Sequence, residues 1–378
     1  GSTLMNCASS HIYLKQMNRK CELALENGAE PVRVLSSVLG QNYPSDELEY
    51  SWKKLMQNHP HDSICCCSVD EVQDEMATRF NKSKQVADYL VSEGKRYIAD
   101  KINTKEYEKY KNVLPFVVFN TTGRERTSVV SVEIDVTRKS GWLKKCAYDL
   151  DEINVPNYKL IDSDGNSIPF KIEDLGVKFG YDLPKDKFRQ PYMARRVRVT
   201  FEAENISAVG YKTYALVEGD TEKVTDTLVS SENCMENDAI RVEINKNGSL
   251  NVTDKASGRT YKGVAYYEET GDLGNEYMYK MPEGSKAITT QDTVAKIELA
   301  EDEPYRAMYK ITNTITVPKS GDDNFEDEQS HMVFFKERVG GRSNDTVEMK
   351  IETFVSLDKN GKGVKLSLIH ISEPTRRS

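Results

Sequence analysis

The sequence predicts a multidomain α+β protein in which an N-terminal antiparallel helical bundle is followed by mainly antiparallel β-sandwich domains. Two features predict this order. Over about residues 9–108, apolar side chains recur at spacings of three and four, the period of a helix face. After residue 112 they alternate, or form short runs between turn residues, as strands do. At 378 residues the chain has room for two or three domains.

The first two predicted helices are short and separated by a glycine. The pattern begins at Ile12, and Gly28 is expected to end the first helix. Pro31 is expected to open the second, because the first helical position needs no N–H donor, and Gly40 to end it. The predicted buried faces are Leu14, Met17, Cys21, Ala24 and Leu25 in the first helix, and Val34, Leu35, Val38 and Leu39 in the second.

Two further helices complete the predicted bundle. Ser45 is expected to cap the third, which must end before Pro60 because proline clashes with the preceding turn. The run Ser68–Glu71 has the spacing of a capping box, and the helix that it opens reaches about Asp100. A helix of that length needs partners along it. The expected buried residues are Leu48, Trp52, Leu55 and Met56 in the third helix, and Val72, Met76, Phe80, Val86, Leu90, Tyr97 and Ile98 in the fourth.

Strand patterns replace the helical ones in the rest of the chain. Val113–Phe119 and residues 129–136 predict two strands, and no helix is expected between residues 112 and 366. Asp164–Gly165 and Asn247–Gly248 predict hairpin turns, because these residues tolerate positive φ. A polar stretch near Glu218–Glu236 is expected to separate two β units of sandwich type.

Composition excludes several classes of function. The net charge is −8, from 52 Lys and Arg against 60 Asp and Glu, with no dense cationic cluster, so nucleic-acid binding is not expected. No apolar run approaches the ~20 residues of a membrane helix. Seven cysteines, three of them contiguous, favour a reducing compartment and a cytoplasmic location over a disulfide framework.

One segment, Asn58–Cys65, combines residue types that can bind a metal ion or a polar substrate. Two of the five histidines stand two positions apart and precede a carboxylate, Asp62, in a predicted interhelical loop. Imidazole is a good zinc ligand, and a neighbouring carboxylate can orient a ligand or hold a polar substrate. The alternative is a capping loop in which His59 packs on Trp52 and Asp62 caps the next turn. A self-contained zinc site is not expected, because four ligands are needed and nearby candidates are few.

Two other segments invite a functional interpretation. Gly271–Tyr279 places glycines, acids, an amide and two tyrosines on one loop of the β region, which suits hydrogen bonding and stacking to a sugar. The alternative is a hairpin connection with an edge tyrosine. The triplet Cys65–Cys67 is expected to be small buried residues at the start of a helix, since three consecutive thiols rarely converge on one ion.

The motif at 58–65, followed by Ser68–Val72 and by Glu75 and Met76, closely resembles the bacterial branch of glycoside hydrolase family 38, the α-mannosidases. The similarity extends over nearly all of residues 8–366. Further matching segments are Tyr13–Gln16 with Glu30 and Pro31, Val117–Asn120, Val242–Asn245 with Gly248–Leu250, and Gly271–Tyr279.

The resemblance implies part of a zinc-dependent, retaining α-mannosidase that acts on terminal α-mannosides or mannose-containing oligosaccharides. In that family a (β/α) barrel precedes the helical domain and supplies the nucleophile and most zinc ligands. Carried over, His61 is the metal ligand of this chain, and Asp62 and Tyr277 are substrate-binding residues. No catalytic residue is expected here, so the fragment is expected to be inactive alone. A homodimer is possible, and the alternative function is a non-catalytic carbohydrate-binding β module on a helical stalk.

Three residues depart from the family pattern. Cys66 stands where a glycine is common, Gln73 replaces a frequent histidine, and His11 stands where an arginine is frequent. The first departure matters most, because a glycine there would serve a backbone shape that a side chain strains.

The sequence divides into five predicted units, of which the first and the last are the two ends of the chain. The stretch 367–378 shows neither strand nor helix pattern and resembles a translated sequencing adapter, so His370 is given no role. The predicted units are a remnant of the preceding barrel at 1–8, a helical middle domain at 9–110, a β-sandwich at 111–225, the start of a larger β-sandwich at 226–366, and a non-native tail at 367–378.

Overall fold

A computed structural model describes residue 7 and residues 10–184, 186–220, 225–271, 281–282, 284–318 and 344–371. Residues 368–371 are described by their backbone alone. The helical region confirms the predicted bundle. The helices are α1 Ile12–Ala24, α2 Glu30–Val38, α3 Ser45–Met56, α4 His61–Cys65 and α5 Asp70–Ala99. Their shared core is formed by Leu14, Cys21, Leu25, Ala29, Leu48, Leu55, Cys66, Met76, Phe80, Ala87 and Leu90.

The first two predicted helices are in fact continuous. A π-helical turn, Leu25–Ala29, joins α1 to α2, so the expectation that Gly28 ends a helix was wrong. The wider turn inserts a residue and shifts the phase of everything that follows it. The buried face of α2 is therefore Val32, Arg33 and Ser36. The predicted residues Val34, Val38 and Leu39 are exposed.

Helix α5 is the long helix that the sequence predicts, and its glycine allows close packing. A Cβ on Gly94 would lie 2.6 Å from Val32 Cγ1 and 3.1 Å from Arg33 Cδ. A Cβ on Gly28 would likewise lie 3.0 Å from Val91 Cγ2. The α1–α2 helix and α5 thus approach each other closely where a side chain is missing.

The predicted caps of α3 and α5 were wrong. Pro44 is the N-cap of α3 and Val69 that of α5, and neither makes a side-chain capping bond. The Ser68 hydroxyl has no hydrogen-bond partner in the described structure. Met56, predicted to be buried in α3, is exposed.

The first β unit is a sandwich of two antiparallel sheets, which fits the predicted fold class. One sheet has the order β1-β7-β3-β4 and the other β2-β6-β5. Their strands are β1 Leu114–Asn120, β2 Arg126–Lys139, β3 Tyr158–Asp162, β4 Ser167–Ile168, β5 Phe170–Asp182, β6 Gln190–Ile206 and β7 Gly210–Glu218. Val197, Val199 and Phe201 of β6 pack against Leu160 of β3 and Leu216 of β7 between the sheets.

The second β unit is also built from two packed antiparallel sheets, of order β12-β11-β10-β9-β8 and β15-β16-β17-β18, beside a two-stranded sheet, β13-β14. Its strands are β8 Val229–Ser231, β9 Cys234–Glu236, β10 Ile240–Ile244, β11 Leu250–Asp254, β12 Arg259–Val264, β13 Glu268–Glu269, β14 Ile288–Thr289, β15 Lys296–Glu303, β16 Arg306–Pro318, β17 Thr346–Asp358 and β18 Lys365–Ile371. Met235, Val242 and Leu250 contact Tyr309 and Val355 in its core.

Both predicted hairpins are present. Asp164–Gly165 lies between the paired strands β3 and β4, and Asn247–Gly248 lies between β10 and β11. Gly165 and Gly248 have φ of 86° and 83°, the left-handed conformation that these turns require.

Three expectations for the β region were wrong. A helix, α6 Leu143–Asp151, packs against β6 although none was expected after residue 112. Strands β8 and β9 lie inside the stretch 218–236 that was expected to be a break. Residues 367–371 continue β18, which pairs with β17, although no strand was expected there. The predicted domain boundaries stay predictions.

Candidate metal-ligating and substrate-binding loop

The loop between α3 and α5 is held by one buried asparagine and one proline. The Asn58 side chain is fully buried and donates from Nδ2 to the Met76 carbonyl of α5 at 3.0 Å. Pro60 has φ −48° and ψ 138°, an extended conformation that redirects the chain and caps α4. The loop is therefore fixed against the long helix directly before His61.

His61 and Asp62 project from the first turn of α4 into solvent. Their side chains are 91% and 67% exposed, and His61 Nε2 lies 3.2 Å from Asp62 Oδ1. Two exposed polar side chains on this short turn are available to a ligand. The pair is thus adjacent, oriented and accessible, as a ligand-binding role requires.

The capping-loop alternative fits the structure poorly. His59 does not pack on Trp52; its Nε2 hydrogen-bonds to Asn18 Oδ1 of α1 at 2.8 Å. Trp52 instead donates from Nε1 to Glu30 Oε1 at 2.7 Å. Asp62 lies within the first turn of α4, after the N-cap Pro60, and makes no capping bond. The two histidines therefore differ: one is tied to the bundle and the other faces solvent.

The loop ends in a left-handed turn at the position where the sequence departs from its family. Cys66 is buried, with φ 64° and ψ 34°. The Gln73 side-chain amide donates to the carbonyls of Cys66 and Ser68, at 3.3 and 2.9 Å. Two of the three departing residues, Cys66 and Gln73, therefore meet in one contact. His11, the third, also has a left-handed backbone, as the N-cap of α1.

Lys15 is a structural contact of this loop that sequence reasoning did not single out. Its ammonium group lies 3.1 Å from Cys66 Sγ and donates to the carbonyls of Ser10 and Cys65, at 2.6 and 3.3 Å. It thereby joins the start of α1 to the end of α4. The only signal in the sequence was its place in the run Tyr13–Gln16, because the two segments lie about fifty positions apart.

The cysteine triplet was expected to begin a helix, but it does not. Cys65 ends α4, and Cys66 and Cys67 form the connection to α5. Cys67 Sγ lies 3.6 Å from the backbone oxygen of Asp62 and also from its Oδ1. Burial raises the pKa of the Cys7 thiol, and a hydrogen-bond contact with Cys65 raises it further. Three consecutive thiols thus lie at the end of α4.

The residues that are described fit a zinc ion only in part. Within the described ranges, no group of three or more His, Cys, Asp or Glu side chains is placed to hold a metal. His61 can supply one nitrogen, and its Nε2 lies 3.2 Å from Asp62 Oδ1. Tyr277, the predicted second substrate contact, lies outside the described residues.

Among the described helices, none has the length and apolar character needed to span a bilayer.

Comparisons with known proteins agree with this architecture. The family described as alpha mannosidase middle domain matches residues 2–98, and the family described as Glycosyl hydrolases family 38 C-terminal domain 1 matches residues 111–218. The first match includes the loop of His61, and the second includes the first β-sandwich. The chain belongs to glycoside hydrolase family 38, the family of the α-mannosidases.

Similar proteins match nearly the whole chain. A putative mannosylglycerate hydrolase of Halalkalibacterium halodurans is 37% identical over 381 residues, which cover 97% of this chain and 41% of that protein. An alpha-mannosidase structure from Enterococcus faecalis V583 matches with a TM-score of 0.90 and 38% identity, over 96% of this chain and 41% of that one. A second Enterococcus faecalis structure, described as a protein of glycosyl hydrolase family 38, matches with a TM-score of 0.89 and 37% identity, over 96% and 43%. The chain therefore spans about two fifths of the length of these relatives.

Proposed function

We propose that this chain is the middle and β region of a zinc-dependent, retaining α-mannosidase that hydrolyses terminal α-mannosides. In this proposal His61 is a zinc ligand, and Asp62 and Tyr277 bind the sugar. The observation that carries it is the exposed His61–Asp62 pair, in a loop matched to the alpha mannosidase middle domain. The nucleophile, the acid/base carboxyl and the remaining zinc ligands would come from a barrel domain of the complete enzyme.

The roles of the two loop residues follow from their chemistry. His61 would hold the zinc ion, which when bound supplies a Lewis acid that polarises and orients the sugar hydroxyls. The Asp62 carboxylate accepts hydrogen bonds only, so it suits a sugar hydroxyl. A retaining mechanism also needs two carboxyl groups about 5 Å apart, which the proposal assigns to the barrel.

The first test concerns the chain by itself. We expect the purified chain to release no nitrophenol from nitrophenyl α-mannoside, with or without added zinc, because the proposal assigns the nucleophile to the barrel. Zinc-dependent release above a buffer control would refute that part of the proposal. Mannose binding that depends on Tyr277 but not on His61 would instead favour the carbohydrate-binding module.

The second test concerns Asp62 in a complete family enzyme that carries this sequence. Asp62→Asn should raise the KM for the mannoside by about tenfold or more, because a hydrogen bond to a charged group contributes ~1.5–3 kcal/mol. Zinc content should not change. The matched control is Asp74→Asn, on the exposed side of α5, which should leave KM unaltered. An unaltered KM in the Asp62 variant would remove this residue from the substrate site.

The relative named a putative mannosylglycerate hydrolase suggests a narrower substrate. An α-mannosyl group linked to glycerate differs from an oligosaccharide in carrying a carboxylate on the leaving group. Comparing kcat/KM for mannosylglycerate with that for a mannobiose would decide between them. A cytoplasmic location and a homodimer remain predictions from the sequence.

A further inference from the structure

A partly open cavity of about 360 Å³ lies where the two β units meet. The first unit lines it with the β3–β4 turn, the end of β6 and part of β7. The second unit contributes Pro304 and Tyr305, between β15 and β16, and Lys359, after β17. Small-molecule sites are common at such junctions and have volumes of ~300–1,000 Å³. The cavity therefore has the place and the size of a small-molecule site.

Each β unit brings to this cavity a buried tyrosine whose hydroxyl has no partner. Tyr305 is 3% exposed, and its hydroxyl has no hydrogen-bond partner among the described residues. Tyr214 of β7 is 2% exposed; its ring packs against Phe116 and Phe201, and its hydroxyl makes no hydrogen bond within the described part of the chain. Buried polar groups are nearly always hydrogen-bonded. Two such tyrosines beside one cavity indicate a ligand that supplies the partners.

Both tyrosines are suited to donate to that ligand. Burial raises the pKa of Tyr214 to about 12, so its hydroxyl keeps its proton at neutral pH. Glu202 of β6 also lines the cavity, and Asn360 donates to its Oε2 at 2.9 Å across the junction. The lining thus offers hydroxyl donors from both units and a carboxyl group fixed by a bond between them.

Groups of both charges line the cavity. Glu202 and Glu204 carry carboxyl groups, as do two aspartates at the β3–β4 turn. Lys212, which donates to the Glu204 backbone carbonyl at 2.8 Å, and Lys359 carry ammonium groups. A cation would meet the lysines and an anion would meet the carboxylates, whereas a hydroxyl group both donates and accepts. The mixed lining therefore favours a neutral ligand with several hydroxyl groups.

The apolar part of the lining narrows the class of ligand. It is formed by Ile168 of β4, by Pro169 and by Pro304. A pyranose ring combines hydroxyl groups with apolar C–H faces, so it can contact both kinds of surface at once. A small linear polyol offers no comparable face.

We propose that the cavity between the two β units binds one neutral pyranose unit, whose hydroxyl groups bond to Tyr214, Tyr305 and Glu202. The inference goes beyond the proposed function, because it uses none of the residues that were assigned there to zinc or substrate. Since both β units contribute contacts, the bound sugar stabilises their junction. A ligand that binds only the folded chain raises its melting temperature.

The test is saturation-transfer difference NMR on the 378-residue chain, with methyl α-mannopyranoside as the probe. The expected result is saturable transfer to the sugar protons at millimolar concentrations, and a melting temperature that rises as sugar is added. Calcium chloride should give no such rise. The absence of saturation transfer, or a rise with calcium in place of the sugar, would overturn the inference.

Two variants locate the sugar. Tyr305→Phe and Tyr214→Phe each remove one hydroxyl, so each should weaken binding about two- to tenfold, as loss of one hydrogen bond does. The melting temperature of the sugar-free variants should equal or exceed that of the parent, because neither hydroxyl has a partner in the fold. Tyr148→Phe, at an exposed position on α6, is the matched control and should bind as the parent does.

The variants also separate this inference from the proposed function. Binding that both cavity variants leave intact, or that Asp62→Asn alone abolishes, would place the sugar elsewhere and overturn the inference. A lower melting temperature of the sugar-free cavity variants would likewise overturn it, because the hydroxyls would then serve the fold. None of these results changes the expected zinc loss of a His61 variant, so failure here and failure of the proposed function are distinguishable.

Discussion

Cys66 is the residue at which the loop of His61 departs from the geometry that its side chain prefers. Its φ of 64° lies in the left-handed region, where a Cβ crowds the following carbonyl. The position ends α4, and glycine is the residue that adopts this conformation without strain. The Gln73 amide and the Lys15 ammonium group hold the turn from two sides. The expected strain at this position is thus present and is offset locally.

Replacing Cys66 separates the backbone strain from the contacts of the thiol. Cys66→Gly and Cys66→Ala both remove the sulfur, but only glycine relieves the left-handed backbone. We expect the glycine variant to be more stable than the alanine variant by about 1–2 kcal/mol. Urea unfolding of the two proteins measures the difference. Equal stability would mean that the turn carries no strain.

At the scale of elements, the approach of α5 to the α1–α2 helix depends on two glycines. Gly94 faces Val32, and Gly28 faces Val91, at distances that leave little room for a methyl group. The π turn at Leu25–Ala29 sets which face of α2 meets α5. The bundle that carries the candidate site is therefore sensitive to added volume at this crossing.

Gly94→Ala should destabilise the bundle although alanine is the better helix former. The added Cβ would lie 2.6 Å from Val32 Cγ1, and overpacking costs ~1–3 kcal/mol against a propensity gain of ~1 kcal/mol. The expected net loss in the free energy of unfolding is about 1 kcal/mol. It is checked by a lower melting temperature in circular dichroism at 222 nm, where the helical signal dominates.

The control for that variant is Gly123→Ala, where a Cβ meets nothing within 4 Å. Its stability should stay within about 0.5 kcal/mol of the parent. In addition, Val32→Ala should destabilise the Gly94→Ala protein less than it destabilises the parent, because the two residues are in contact and their effects are not additive. Additive losses would show that the close approach is not the cause.

The elements that could be predicted were those with long, regular patterns. The thirty residues of α5 and the paired strands around Gly165 and Gly248 follow from periodicity and turn chemistry alone. The phase of α2 could not be predicted, because a π turn leaves no mark in a sequence with apolar residues on several faces. The nine-residue α6 was missed because packing on β6, not a long period, stabilises it.

The candidate site was predictable to a different degree. His61 and Asp62 stand in a compact motif, so their adjacency could be read from the sequence, and the structure places them together on α4. The contacts of Lys15 and Gln73 could not be read from the sequence, because they depend on a left-handed turn and on segments far apart in the chain.

At the scale of the whole molecule, a buried carboxyl joins the two β units. Glu202 of β6 is 7% exposed, and Asn360, after β17, donates to its Oε2 at 2.9 Å. Burial raises the pKa of Glu202 above its usual 4.5, although the Asn360 bond opposes the shift. The folded protein therefore binds this proton more tightly than the unfolded chain does.

The stability of the folded protein should therefore depend on pH through Glu202. Because the folded pKa is raised, the stabilising effect of the protonated carboxyl is complete below the unfolded value near 4.5 and is lost as the pH rises through the folded pKa. Glu202→Gln cannot ionise and keeps an oxygen for Asn360. We expect this variant to melt at a higher temperature than the parent at pH 8, and the difference to shrink towards pH 4.

The control for this prediction is Glu125→Gln, at an exposed position directly before β2. Its melting temperature should follow that of the parent at both pH values. A Glu202→Gln protein that is less stable than the parent at pH 8 would contradict the assigned cost of ionisation at the junction of the β units.

The zinc content of a complete family enzyme that carries this sequence tests the central claim most directly. His61→Ala should lose bound zinc, measured by inductively coupled plasma mass spectrometry after dialysis, because a metal ligand is removed. The decrease in metal affinity should exceed the ~10–100-fold that loss of an outer-shell partner causes. His59→Ala, which removes the imidazole bonded to Asn18, should keep its zinc. Unchanged zinc in the His61 variant would contradict the account.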